Sequence, residues 1–175
     1  MDVHEVIRTR RSVRSYRSDP IPEEVLSRVL EAARVAPSAG NGQPTRLVLV
    51  TERRSRRELA VLCGDQSFIA EAPVVVVACG KNLHLNSTTE EPNLWALVDG
   101  AIALDHLTLV ARAEGLGTCW IGVIGSKEVK QFVGLSEDMD VVSVTPLGYP
   151  ASPEAFRAPG PRVPIDEFAR RERWA

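Results

Sequence analysis

The segment PVVVVACG at 73–80 sets the tightest limit on the fold. Side chains alternate between the two faces of a strand. A strand that is apolar at nearly every position is therefore covered on both faces. This one predicts a central strand with helical layers on either side. The surrounding chain offers the helices. After SDPIPEEV, residues Val25, Leu26, Val29, Leu30 and Ala33 recur at helical spacing. Ser18 or Asp19 is placed to cap that helix, Pro22 suits its first turn, and Glu23 and Glu24 favour the positive end of its dipole. A shorter helix is expected over residues 2–11, and SRRELAVLCG (55–64) reads as a helix closed by Gly64. Leu94 to Glu114 is the longest helical pattern. It is apolar on more than one face, which predicts deep burial, and Gly115 stops it.

The remaining elements alternate. LVLVT (47–51), TCWIGVI (118–124) and DVVSVTPLGYP (140–150) read as strands or extended segments. SKEVKQFVG (126–134) reads as a short capped helix, and the tail as extended with a helix from about Ile165. APSAGNGQP (36–44) is a loop, because Pro and Gly break both regular structures. The order predicts an α+β or α/β layered fold around one mixed sheet. No internal boundary is visible, so residues 1–175 are expected to form a single domain.

Composition narrows the function. The 175 residues are 44% hydrophobic, enough for a real core. A net charge of −2 argues against a nucleic-acid partner. VVVVAC is read as the longest apolar run, too short for a membrane span, and MDVHEVIRTRR lacks the apolar centre of a secretory signal. The expectation is a cytoplasmic protein with no membrane partner. Cys63, Cys79 and Cys119 are far apart with no CxxC, and His4, His84 and His106 have no metal-ligand spacing, so no metal site is expected. Cys79 and Cys119 read as small buried hydrophobes.

Neither a dinucleotide fingerprint nor a phosphate loop is present. An anionic ligand would need a distributed site, and RRSVRSY (10–16) offers one. In an extended segment Ser12 and Arg14 point to the same side, and Arg10 at the helix end reaches the same place. Arginine suits phosphate best. Charge alone is a weak signal here, since nearly all of the 21 basic residues are arginine. Arg162 lies between Pro161 and Pro164, which stiffen its backbone. The amides of Asn41 and Gln43 both donate and accept, as a heterocycle edge requires. Trp120, Ile121 and Gly122 offer a wall for an aromatic ring.

Five segments in order, the RRSVRSY opening, APSAGNGQP, DGAIALDHLTLVARAEGLGTCWIG, TPLGYP and PRVPIDE, resemble the FMN-dependent nitroreductase family along almost the whole chain. The resemblance implies a three-layer α+β fold with a central mixed sheet, in an intertwined homodimer with FMN at the interface. It implies an oxidoreductase that takes hydride from NADH or NADPH and reduces nitroaromatics, quinones or related small acceptors in a ping-pong manner. A specialised flavin enzyme of the same fold, a non-catalytic flavin binder and a deazaflavin cofactor remain alternatives. Carried over by position, Arg10, Arg11, Ser12, Arg14 and Arg162 hold the phosphate and ribityl region. Pro37, Ser38, Ala39, Asn41 and Gln43 approach from the other subunit. Gln66 touches the polar edge, and Trp120, Ile121 and Gly122 line the ring. No catalytic side chain is implied, since the flavin carries the chemistry. Gly160 stands where many members carry Lys, so one phosphate contact is missing or Arg11 or Arg17 replaces it. Ala39 replaces a hydroxyl. The short segment 81–93 implies an open site or a small lid.

Overall fold

The computed structural model describes residues 1–81, 94–156 and 160–174. The lid expected from 81–93 thus falls almost wholly outside the described residues. The fold is organised by strand β2, Val74–Lys81, buried from Val74 to Gly80. Its alternation divides the interior in two. Val74, Val76 and Ala78 pack with Leu26 and Val29 of helix α2 (Glu23–Arg34) and with Leu104 and Leu107 of helix α4 (Leu94–Ala113). Val75, Val77 and Cys79 pack with Leu59 of helix α3 (Arg53–Leu62) and Val129 of helix α5 (Lys127–Phe132). The result is the expected three layers, helices on both faces of a sheet.

The four strands lie in the order β1-β2-β4-β3, with β1 at Thr45–Val50, β3 at Gly117–Thr118 and β4 at Met139–Gly148. All three pairings are antiparallel. The mixed character expected of the sheet reduces to one parallel bridge, Ser12 to Thr118, outside the named strands. The reason is the connection after β1. The chain reverses beyond α3 at Gly64 (φ 81°) and Asp65 (φ 58°), and the following segment runs back. β2 therefore begins beside the end of β1, with Val75 opposite Val50.

Several local expectations change. Helix α2 begins after Pro22, with no side-chain cap. Pro20 and Pro22 keep the chain extended, so Ser18 and Asp19 stand too far upstream, and Asp19 pairs with Arg17 instead. The expected strand 118–124 is broken after Thr118, because the Cys119 N–H donates to Thr145 Oγ1 rather than to a ladder carbonyl. Ile121 rejoins β4 through a bridge to Val144. The tail helix is a single turn, α6, Ile165–Phe168.

Helix α4 also differs. It buries Ala96, Asp99, Gly100, Ala103, Leu104, Leu107, Thr108 and Ala111, while Leu94, Trp95 and Val98 are exposed. It is long and apolar enough to cross a membrane by length and composition, so VVVVAC is not the longest apolar stretch. Asp99, Asp105 and Arg112 interrupt the run and hide its length. Within this chain the helix is a half-covered core element that packs on α2 and the sheet.

Gly117 fixes the edge of the sheet against the N-terminal segment. A Cβ there would lie 2.7 Å from Val13 Cγ2 and 2.8 Å from Val13 Cβ. Gly117→Ala is therefore expected to cost about 1–3 kcal/mol through overpacking, read as a lower urea midpoint with an unchanged m-value.

Candidate functional site

The arginine-rich segment is held in place by the elements around it. Helix α1, Val3–Thr9, is capped by Asp2, which accepts from the Glu5 N–H at 3.0 Å. At Arg10 the backbone turns extended (φ −58°, ψ 136°). Val13 N–H then donates to Thr118 O at 2.8 Å, and Tyr16 N–H donates to Glu71 Oε2 at 3.0 Å. The Tyr16 hydroxyl donates to Val13 O at 2.6 Å. Val13 and Tyr16 are buried, so Ser12 and Arg14 face outward.

Arg11, Ser12 and Arg14 form one wall of a cavity of about 640 Å³, with Ser152, Glu154 and Gly160 across from them. Among the described residues, salt bridges use Arg17, Arg28, Arg34, Lys81 and Lys130, and none uses Arg10, Arg11, Arg14 or Arg162. Burial, then the charges of Arg162 and Arg10, push the Arg11 pKa down. Arg11 donates to Arg8 O at 3.0 Å and to Arg10 O, yet its Nε is buried with no partner. Arg162 is exposed and, among the described residues, donates to Gly160 O and Pro161 O, at 3.4 and 3.3 Å. Like charges gathered with no salt bridge among the described residues, one with an orphaned N–H and with Glu154 the acid in the cavity lining, fit a phosphate.

Behind this wall Cys119 is buried, and burial pushes its thiol pKa up, with Arg14, the Ser12 hydroxyl and Arg10 opposing. Burial likewise raises Cys63 and Cys79 to about 11. All three thiols are buried hydrophobes and poor nucleophiles.

The loop after α2 forms a second group. Gly40 (φ 56°), Asn41 (φ 56°) and Gln43 (φ 48°) all take left-handed backbone, costly for Asn and Gln. The surroundings hold it. Ala39 N–H donates to both oxygens of Asp99, at 3.1 and 3.2 Å, and Gln43 N–H donates to Ser38 Oγ at 2.9 Å. Gln43 Nε2 donates to Asn41 Oδ1 at 3.2 Å, and both side chains stay exposed. Pro37, Ser38, Gln43 and Asp99 line a cavity of about 240 Å³.

Trp120, Ile121 and Gly122 line a third, mostly apolar cavity of about 300 Å³ with Leu97, Val98 and Ile124. The profile of the Nitroreductase family matches residues 7–66 and 61–149, which takes in the second and third groups and Arg10, Arg11, Ser12 and Arg14 of the first.

The chain belongs to the nitroreductase family.

Named relatives agree with it. An NADH dehydrogenase of Thermus thermophilus is 32% identical, over 90% of this chain and 89% of its own length. An FMN reductase (NAD(P)H) of Bacillus subtilis is 30% identical, over 98% of this chain and 75% of its own. The solved NADPH:FMN oxidoreductase of Vibrio harveyi, complexed with NAD+, superposes with a TM-score of 0.86 at 26% identity, covering 99% of this chain and 78% of that one.

Within this nitroreductase-family chain Arg11, Ser12 and Arg14 line one cavity, Pro37, Ser38 and Gln43 a second, and Trp120, Ile121 and Gly122 a third, while Arg10, Ala39, Asn41 and Arg162 line none of the three. Gln66 also lines none. Its Nε2 donates to Cys63 O at 2.6 Å and closes the end of α3. Asp99 and Glu71 were missed by the sequence reading. Asp99 did leave a signal, a carboxylate in line with Ala103 and Leu107 at helical spacing. Glu71 left none, since its partner lies 55 residues away.

Asp99→Ala removes the only acceptor of the Ala39 N–H. It is expected to cost about 1.5–3 kcal/mol and to speed exchange of that amide. Asp99→Asn should cost less, because its amide oxygen still accepts. Denaturation and amide exchange of both variants check this.

Proposed function

We propose that the protein is an FMN-dependent oxidoreductase that takes hydride from NADH or NADPH and reduces small acceptors such as nitroaromatics or quinones. The observation that carries this reading is the gathering of Arg11 and Arg14, which line the 640 Å³ cavity, with Arg10 and Arg162, whose charges act on Arg11, none of them in a salt bridge among the described residues. The names of the relatives, an FMN reductase and an NADPH:FMN oxidoreductase among them, point the same way. FMN held there would supply the hydride and electron-transfer chemistry between a nicotinamide and the acceptor, while the residues of this chain would bind and orient it.

The residues do the rest. Arg10, Arg14, Arg162 and the Ser12 hydroxyl hold the phosphate. Arg11 supplies the cation that Gly160 lacks; its closeness to Arg162 and its unpaired Nε support that assignment. The amides of Asn41 and Gln43, preset by the strained loop, meet the polar edge of the ring and stabilise charge there. Trp120, Ile121 and Gly122 exclude water from its flat face.

The site is completed by a second copy of the chain. Leu94, Trp95, Val98 and Ile124 are exposed apolar residues, and Val98 and Ile124 join Trp120 in the third cavity. A twofold pairing through this surface covers them and lets the loop 37–43 of one copy serve the arginines of the other.

Titration with FMN is expected to quench flavin fluorescence at one FMN per chain, and the loaded protein to oxidise NADH or NADPH with a quinone. Absence of quenching would overturn the reading. Arg162→Ala should weaken FMN about ten- to hundredfold, with little change in thermal midpoint. The composite site has its own check. Arg10→Ala and Asn41→Ala, each expected to empty the sites of its own dimer, are co-expressed. Mixed dimers then carry one intact site, and about a quarter of all sites regain FMN. No recovery, with mixed dimers shown to form, would place both residues in one subunit's site.

A further inference from the structure

Arg112 sits in the last turn of α4 and reaches both walls of the arginine-lined cavity without lining it. Its Nε donates to Thr9 Oγ1 at 3.0 Å, and that hydroxyl donates to Glu5 O at 2.7 Å. Its Cζ lies 4.0 Å from the centroid of the Phe156 ring. Thr9 is the last residue of α1, immediately before Arg10 and Arg11. Phe156 ends the 3-10 turn Pro153–Phe156, which contributes Glu154 and Ala155 to the opposite wall. The walls also meet through the Ala151 N–H donating to Ser15 O at 3.0 Å, through Ala155 and Phe156 packing on Val13 and Tyr16, and just beyond the cavity through the Tyr16–Pro150 bridge and the Arg17 N–H donating to Tyr149 O at 2.9 Å. Burial pushes the Arg112 pKa down, with Glu5 opposing, so its cation is partly removed from water, where stacking on a ring is strongest.

We propose that Arg112 is a positioning residue for the anion cavity: stacked on Phe156 and bound to Thr9, it fixes the distance between the arginine-bearing wall and the wall of Ser152 and Glu154. Its effect on FMN rests on the cofactor reading above, whereas the clamp itself does not. Only a planar guanidinium makes both contacts. The compact ammonium of lysine keeps the charge but loses the stacked plane and the fixed Nε donor. Position rather than charge is therefore what Arg112 supplies.

Two readouts test this. In the flavin-free protein, amide exchange is followed over residues 10–16 and 151–156. Arg112→Lys is expected to speed exchange at both walls together, and Phe156→Leu to do the same, while Phe156→Tyr, which keeps the ring, matches the parent. In FMN titrations Arg112→Lys and Phe156→Leu should each weaken binding about five- to tenfold. The double variant should be no weaker than Arg112→Lys alone, because that change already removes the stacking contact that Phe156→Leu removes. Unchanged exchange at either wall, parental FMN affinity in Arg112→Lys, or losses that multiply in the double variant would each overturn the proposal. Should Arg112→Lys fail to fold, Phe156→Leu and Phe156→Tyr decide it. Should the parent protein bind no FMN, the cofactor reading falls and the exchange measurement alone decides the clamp.

Discussion

The two-sided burial of β2 is the constraint on which the rest of the structure depends. A strand buried from Val74 to Gly80 exposes no backbone group to water, so both edges must be paired, and β1 and β4 pair them. Its side chains then need apolar cover on both faces. The layer of α2 and α4 covers one and the layer of α3 and α5 the other. With the sheet order settled, the C-terminal end of β4 lies beside β3, and β3 carries the bridge that receives the arginine segment. The candidate site is thus an edge feature of a sheet whose centre is rigid.

Charge is handled differently at this edge than elsewhere. Arg28 and Arg34 find carboxylates at 2.8 and 2.6 Å, as surface arginines commonly do. Around the cavity the arginines face each other instead, and the backbone pays for it with anchors. Val13 is bonded to Thr118, Tyr16 to Glu71 and Arg17 to Tyr149. Repulsion that would otherwise splay the segment is held in a fixed geometry, which is the condition for binding an anion with little reorganisation.

Helix α4 links the parts of the site. Its buried carboxylate, Asp99, holds the strained loop at Ala39. Its last turn, at Arg112, joins α1 to the 3-10 turn at Phe156. Its exposed apolar end supplies Leu97 and Val98 to the cavity of Trp120. One helix therefore sets the spacing of three groups that are far apart in the chain.

The sequence by itself determined the layers and the identity of the cluster. VVVVACG is short, β-branched and flanked by Pro73 and Gly80, which favours a strand covered on both faces, and the helical stripes of α2, α3 and α4 supply that cover, because such patterns are local properties. The outward pairing of Ser12 and Arg14 was legible for the same reason. The antiparallel course of β2 was not, since it depends on a reversal at Gly64 and Asp65 whose direction no local pattern records. Nor were the partners of Asp99, Glu71 and Arg112, at separations of 60, 55 and 103 residues. Side-chain type shows what a residue can bond, but only the packed chain decides which donor stands opposite it. Here that means tertiary structure decided how the anion cavity is braced, while the sequence decided that its walls carry arginine.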